Sequence, residues 1–563
     1  MSIHAQDLEQ FDRTPISISG NVAIGSSFYH AEGRDNRRSP YSYFISANPT
    51  FTLFGFDIPV SLVYRDQEGS ISNPFNRVSV NPRYKWISLH AGSISMNLNP
   101  YTLSGQIIKG GGVELTPGKF RFSAIAGTMQ NPLAQLDTIV VGAVILPNFD
   151  RRAYGGKIGF GSSKNYLDLI FFKAKDDVNS LDPSLIDPRV TKPEENLIAG
   201  TSFKISPAKW VSLKVNASAS AHTANQNSGE YIESADLQQA RENLGNTLTI
   251  NLSTKIQFAG DASLDFKFKN FGFGGEYKRV DPFYRSLGTF YFQEDYENML
   301  VKVNFRLLKN KLRFTGRGGL QRNNLNNLRA ITNTRQIFNT TLSFSPSKNF
   351  QLTGRYSNFQ TERTPGLVSV NDTVRYARAT ELYGLTPRFS FGSDEKRSTI
   401  TLSANYQNLE DILQDQDTGN SIENYNGNLS YNLNLKPSQS SITISLLANQ
   451  NLIKDNERQR LGANLRLSKK LLDKKLTLSI AAGAFQNYLN AVEEGQSITA
   501  RFGLRYKLSK TISLSSNINY LNRMGAQNFQ EYRANIRLSY ALPKKSIGGS
   551  KETETKKIKK NKS

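Results

Sequence analysis

Ser497 to Asn522 reads SITARFGLRYKLSKTISLSSNINYLN. Ile498, Ala500, Phe502, Leu504, Tyr506 and Leu508 are apolar, with Thr499, Arg501, Gly503, Arg505 and Lys507 between them. After Ser509-Lys510-Thr511, Ile512, Leu514, Ile518 and Tyr520 alternate against Ser513, Ser515, Asn517 and Asn519. A period of two sends successive side chains to opposite faces, so the stretch predicts two β-strands. If the apolar face covers a protein core, the arginines lie in bulk water. If it meets lipid, they line a wet lumen.

The same alternation recurs along the chain, from about 16–29 and 41–54 through 246–258 and 262–278 to 511–521 and 529–541, roughly 26 strands. The connections fall into two alternating classes. One is tight, as at Phe54-Gly55-Phe56, Thr116-Pro117-Gly118, Ala259-Gly260-Asp261 and Lys309-Asn310. The other is longer: 30–40, 67–77, 130–152, 176–196, 222–245, 279–297, 322–333, 362–379, 409–421 and 487–496. Short turns at one end and long loops at the other are the signature of an outer-membrane barrel, with turns periplasmic and loops extracellular. An even strand count puts both termini on the short-turn side.

Bulk composition agrees. The chain has 563 residues, a hydrophobic fraction of 38%, 41 Gly, 33 Phe, 24 Tyr and no Cys. No apolar run is long enough for a transmembrane helix, so a membrane reading rests on strands. Lacking cysteine, the chain has neither a disulfide framework nor thiolate chemistry. The net charge of +23 comes from 70 Lys+Arg against 47 Asp+Glu. These bases are spread over strand faces and turns, not gathered in a groove-binding patch, which argues against nucleic acid. A strand pair recurs about every 43 residues, close to the repeat of a propeller blade, but a blade needs four shorter strands.

The apolar face is therefore the lipid face. It recurs as Val301, Val303, Phe305 and Leu307, as Leu461, Ala463, Leu465 and Leu467, and as Tyr532, Ala534, Ile536, Leu538 and Tyr540. Arginine at midplane on that face would cost ~2–4 kcal/mol, so register is strongly specified. Trp86 and Trp210 sit beside short turns, and with Tyr506 and Tyr540 they are the candidate interface aromatics. Over its whole length the chain resembles the large single-chain Gram-negative outer-membrane β-barrels, of the Bacteroidota type. The motifs behind this resemblance are architectural and select no named transport family.

The expected organisation is a signal remnant and N-terminal segment at 1–14 (His4-Ala5-Gln6 resembling the tail of a signal), the barrel at 15–541, and a basic disordered periplasmic tail at 542–563. From Lys544 onward that tail carries eight Lys and two Glu, suited to anionic headgroups or an acidic partner, or simply to solubility. Barrels of ~22 strands already need a plug. The first strand begins near Ile16, leaving no room ahead of it for the plug domain of TonB-dependent transporters. Closure is then expected from a protein partner or from inward-folded loops, the candidates being 130–152, 176–196 and 222–245. The last contains a short helix pattern, Ser234 as N-cap to Gly245 after its end, which could equally lie on top of the barrel.

Lys302, Arg306, Arg466, Arg501, Arg505, Lys507, Arg533 and Arg537 occupy inward positions, and a cationic wall enriches anions unless acidic loops neutralise it. The loop Asp281 to Asn298 holds Phe283, Tyr284, Phe290, Tyr291, Phe292 and Tyr296, read as an extended hairpin or an upper aromatic girdle. Asp415, Asp417 and Glu423 form a weak calcium candidate, short of an acidic ligand and too tightly spaced. The four histidines, His4, His30, His90 and His222, form no HExxH pair, and neither a GxSxG elbow nor a P-loop is present, so no enzyme and no cofactor is expected. The leading expectation is passage of a solute or macromolecule across the outer membrane. The alternative is a scaffold or accessory subunit of an outer-membrane export, assembly or attachment complex.

Overall fold

The computed structural model describes residues 16–66, 77–133, 147–182, 191–229, 235–245, 247–290, 293–329, 331–365, 376–413, 416–454, 456–525 and 527–547. The strands follow one another around a single antiparallel sheet, each paired to its sequence neighbours. The first, Ile16–Glu32, closes the circuit on the last, Phe529–Ile547, from Ile16 opposite Ile547 to Glu32 opposite Gln530. A bulge at Ile18/Gly20 adjusts the register of this seam. Gly20 has φ 131° there, and a Cβ would stand 2.2 Å from the Asn48 carbonyl oxygen.

Twenty-seven strand segments make 26 barrel strands, because Arg77–Val80 and Arg83–Tyr84 are halves of one. Both halves bridge Phe56–Arg65 to Ile87–Ile94. Pro82 interrupts them, since it has no N–H to give the ladder. With strands ~4.8 Å apart and tilted ~40°, 26 of them give a perimeter of about 160 Å. The core of such a sheet cannot be its own two faces, and large exposed apolar side chains mark the outer one: Tyr154, Ile158 and Phe160, then Leu167, Leu169 and Phe171, then Ile536, Leu538 and Tyr540.

The connections keep the alternation read from the sequence, with two differences. In the second half the strands run through several segments expected to be loops. Lys396–Leu413 and Gln416–Leu435 are 18 and 20 residues long, and Leu476–Leu489 turns into Val492–Lys507 through Asn490 and Ala491 alone. Both turn residues have positive φ, as a two-residue hairpin requires. At ~3.4 Å per residue, such strands continue well beyond the 9–11 residues that cross a bilayer. The last strand likewise passes the expected boundary at 541, because Ile16, Ser17 and Ile18 supply partners as far as Ile547. Residues 1–14 and the tail from 548 onward lie outside the described residues.

Candidate functional site: a half-filled lumen

The lumen is occupied on one side by a connection that the alternation pattern skipped. Residues 95–107, between Ile87–Ile94 and Ile108–Leu115, fold inward. The chain reverses at Asn99-Pro100: Tyr101 N donates to Asn99 Oδ1 (2.8 Å) and Leu98 N to the Leu103 carbonyl (3.1 Å). Met96, Leu98 and Leu103 are buried against Ile125, Ile170, Phe172 and Ile198 on the inner faces of the neighbouring strands.

A second loop, described over 281–290 and 293–295, clasps the first. Ser104 N donates to Gly288 O (2.9 Å), Phe290 N to Ser104 O (3.2 Å), Tyr284 Oη to Tyr101 O (2.9 Å) and Ser286 Oγ to Thr102 O (2.6 Å). Gly288 is required here, since a Cβ would lie 2.3 Å from the Thr102 carbonyl and 2.9 Å from the Phe172 ring. Polar side chains of the barrel wall satisfy the rest. Tyr101 Oη donates to Asp261 Oδ1 (2.8 Å), Asn99 Nδ2 to Ser202 Oγ (3.1 Å), and Leu287 N to Asn196 Oδ1 (3.1 Å). Asn216 Nδ2 also donates to Asp261, at 3.0 and 3.2 Å. The polar groups named here, removed from water, find partners in one another, and the clasp is built like a core.

The opposite wall carries no such filling among the described residues. Register places Arg466, Ala481, Arg501, Asn519 and Arg533 directly opposite one another on successive strands, ending at Tyr29. A parallel row nearer the short turns runs Thr477, Arg505, Ser515 and Arg537. Each arginine in the row is two strands from the next, about 10 Å, which is close to the Debye length in physiological salt. Grooves of about 590 and 840 Å³ lie along this wall, the first beside Arg460, Arg466, Phe485 and Arg501, the second beside Arg37, Arg38, Arg533 and Arg537. Arg460 stacks on Phe485 at 4.2 Å and Arg537 faces Phe44 at 5.7 Å. Among the described residues, no ion pair involves Arg466, Arg501, Arg505, Lys507, Arg533 or Arg537.

The other expected positions separate. Lys302 faces the same interior but is paired, Nζ to Glu276 Oε2 at 2.5 Å, and Arg306 stands opposite Arg313 near the short turns. Trp86 and Trp210 occupy short turns and are 39% and 48% exposed, Trp210 stacking on Phe266 and Phe268. Tyr506 lies opposite Leu476 and Leu514, and Tyr540 opposite Val22 and Ile512. Asp417 and Glu423 belong to the strand Gln416–Leu435, while Asp415 lies outside the described residues. No group of three or more potential metal-ligating carboxylates, histidines or cysteines occurs among the described residues.

The expected plugging loops are described only in part, since 134–146, 183–190 and 230–234 lie outside the described residues. The helix exists, Ala235–Leu244 with Gly245 after it, though Ser234 lies outside the described residues. The chain that follows it packs on the outer wall. Leu248 and Ile250 cover Leu197 and Ala221, whose face is shared with the lipid-exposed Phe171. Glu195, on that same face, accepts from Thr249 N (3.0 Å) and pairs with Lys173 and Lys175 (3.2 and 3.4 Å). The described ends of 130–152 and 176–196 build a charged rim. Arg151 bonds Asp176 in bidentate fashion (2.6 and 2.8 Å) and reaches Glu194 (2.7 Å), with His222 3.4 Å away from Glu194. Burial pushes the Glu194 carboxyl up, but His222, Arg151 and Arg285 outweigh it and hold the group down at about 2. In the aromatic loop Tyr284 and Tyr296 are buried inside with Tyr101, where they serve the clasp, Phe283 and Phe290 are exposed, and Tyr291 and Phe292 lie outside the described residues.

The signal that could have exposed the clasp is compositional. Residues 95–107 carry no charge but include Met96, Leu98, Tyr101, Leu103 and Ile107, a loading unsuited to an exposed loop.

No family model and no curated protein matches the sequence. Among solved structures, the P pilus usher (PapC) translocation pore is similar at 12% identity and a TM-score of 0.37, covering 93% of this chain and 99% of its own. Pseudomonas aeruginosa OccK7 (OpdD) is similar at 10% and 0.31, covering 94% and 98%. Acinetobacter baumannii OccAB2 is similar at 8% and 0.32, covering 62% and 92%. A likeness this distant reaches no further than fold. On its own geometry, 26 strands closed on themselves with an apolar exterior and a polar interior, the chain is an integral β-barrel of the outer-membrane type.

Proposed function

We propose that the barrel is an outer-membrane channel for anionic solutes, its lumen narrowed on one side by the 95–107/281–295 clasp and lined on the other by arginine. The observation that carries this reading is the row Arg466, Arg501 and Arg533, set at regular cross-strand spacing and, among the described residues, in no ion pair, although Glu531 and Asp66 line the neighbouring grooves. Such a wall raises local anion concentration and leaves guanidinium donors for carboxylates or phosphates. The short turns and both termini face the periplasm in this reading, with the Trp86 and Trp210 turns at that interface.

The test is the reversal potential of the purified chain in planar bilayers under a KCl gradient. Anion selectivity is expected, and the triple change Arg466→Glu, Arg501→Glu, Arg533→Glu should reverse its sign. Cation selectivity of the unmodified chain would refute the reading. A second reading, a scaffold in an outer-membrane complex, is favoured by the strands near 396–435, whose length gives a wall beyond the bilayer for a partner to lean on. It predicts stable co-purifying proteins and little conductance.

A further inference from the structure

The outer face of the same barrel half carries a feature that passage through the lumen does not explain. Register sets Tyr356 opposite Tyr383, Tyr383 opposite Tyr406 and Tyr406 opposite Tyr425, with ring centroids 4.8, 6.2 and 4.8 Å apart. The next outward row toward the short turns reads Gly354, Leu385, Ala404, Gly427, Ala448 and Leu461. Gly354, Ala404, Gly427 and Ala448 beneath the tyrosine row, with Leu385 and Leu461 beside them, leave a trench of about 820 Å³ on the lipid-facing surface. Packing does not demand the glycines. A Cβ at Gly354 would meet nothing within 4 Å, and one at Gly427 would meet only Ala448, at 3.8 Å. Glycine inside a strand weakens it, and a use for the space is close approach of something else.

Beyond the tyrosines, toward the opposite end, the outward positions carry Glu362, Glu381, Glu410, Glu423 and Glu457. No lysine or arginine stands at the described outward positions of this band, in a chain of net charge +23. Tyr383 Oη donates to Glu381 Oε2 (3.1 Å) and Tyr425 Oη to Glu423 Oε2 (2.7 Å), so the carboxylates are fixed at the trench's edge. An apolar channel that ends at ordered carboxylates matches a molecule with a hydrocarbon chain and a cationic head. It repels one with a bare phosphate.

We propose that this trench binds a membrane lipid whose headgroup carries a primary amine. One acyl chain lies over Gly354, Ala404, Gly427 and Ala448, the tyrosine rings cover its upper end, and the ammonium bonds Glu381 and Glu423. The site is independent of the channel reading, since no lumen-facing side chain takes part.

The test places the full chain in nanodiscs of equal phosphatidylethanolamine and phosphatidylglycerol, releases it, and reads retained lipid by native mass spectrometry. Phosphatidylethanolamine should exceed phosphatidylglycerol roughly tenfold, the ratio that one hydrogen bond to a charged group supports. Gly427→Leu should abolish retention by filling the trench, with Gly354→Leu as the second variant should the first fail to fold. Glu381→Gln with Glu423→Gln should bring the two lipids to parity while retaining lipid. Equal retention by the unmodified chain, or retention unmoved by the leucine variants, would overturn the proposal.

Discussion

Leu103→Ala tests whether the inward clasp limits the pore. Leu103 is 0% exposed and packs in an apolar cluster with Met96, Leu98, Ile125, Phe172 and Leu287. Truncating a leucine in such a place costs ~2–5 kcal/mol, the lost transfer energy plus the cavity left behind. Because the cluster joins two loops to the wall, the cost falls on the closed arrangement of the loops. At 1.4 kcal/mol per factor of ten, the docked state loses ~30-fold to ~4,000-fold in population against the released one. Single-channel recordings in planar bilayers read this directly. The unmodified chain should show one steady level, Leu103→Ala should add excursions to a larger one, and deletion of 97–104 should hold the larger level. Deleting 225–250 should leave conductance as it was, because Leu248 and Ile250 cover the outer wall. If Leu103→Ala and the 97–104 deletion conduct like the parent, or if the 225–250 deletion is the one that widens the pore, the clasp does not bound the channel.

Two further outcomes are expected. Asp168, 3% exposed, is paired with Arg121 at 2.8 Å, so Asp168→Asn leaves a half-buried guanidinium, 25% exposed, without its partner and should lower stability by about 1–3 kcal/mol, read as the heating midpoint of barrel unfolding on semi-native gels. Restored stability in Arg121→Met/Asp168→Leu would assign that loss to the unpaired charge, and a neutral single variant would contradict it. The rim at Glu194 should be pH-sensitive. Its carboxyl sits at about 2 against 4.5 when free, so its contribution, on the order of 3 kcal/mol, is complete above about pH 4.5 and is lost as pH falls toward 2. Hydrogen exchange over 191–229, normalised to intrinsic rates, should accelerate across that window in the parent and show no such step in Glu194→Gln.

The sequence by itself determined the strand count, the alternation of faces, the alternation of short and long connections, and the side on which Arg466, Arg501, Arg505, Lys507, Arg533 and Arg537 project. Each of these is local: a period of two is written in neighbouring residues, and a one-residue slip would exchange the arginines with leucines such as Leu465 and Leu504. Strand ends were less legible, because Gln416–Leu435 keeps pairing beyond the bilayer where hydrophobic alternation no longer marks it. The clasp was decided by the tertiary structure. Asn99, Tyr101 and Thr102 meet Ser202, Asp261 and Ser286 across separations of 103, 160 and 184 residues, and no periodicity encodes which wall an irregular loop will find. The same holds for the tyrosine trench. Every residue in it reads as an ordinary lipid-facing position, and only cross-strand register, fixed by hydrogen bonds between strands, lines four tyrosines up above Gly354, Ala404 and Gly427.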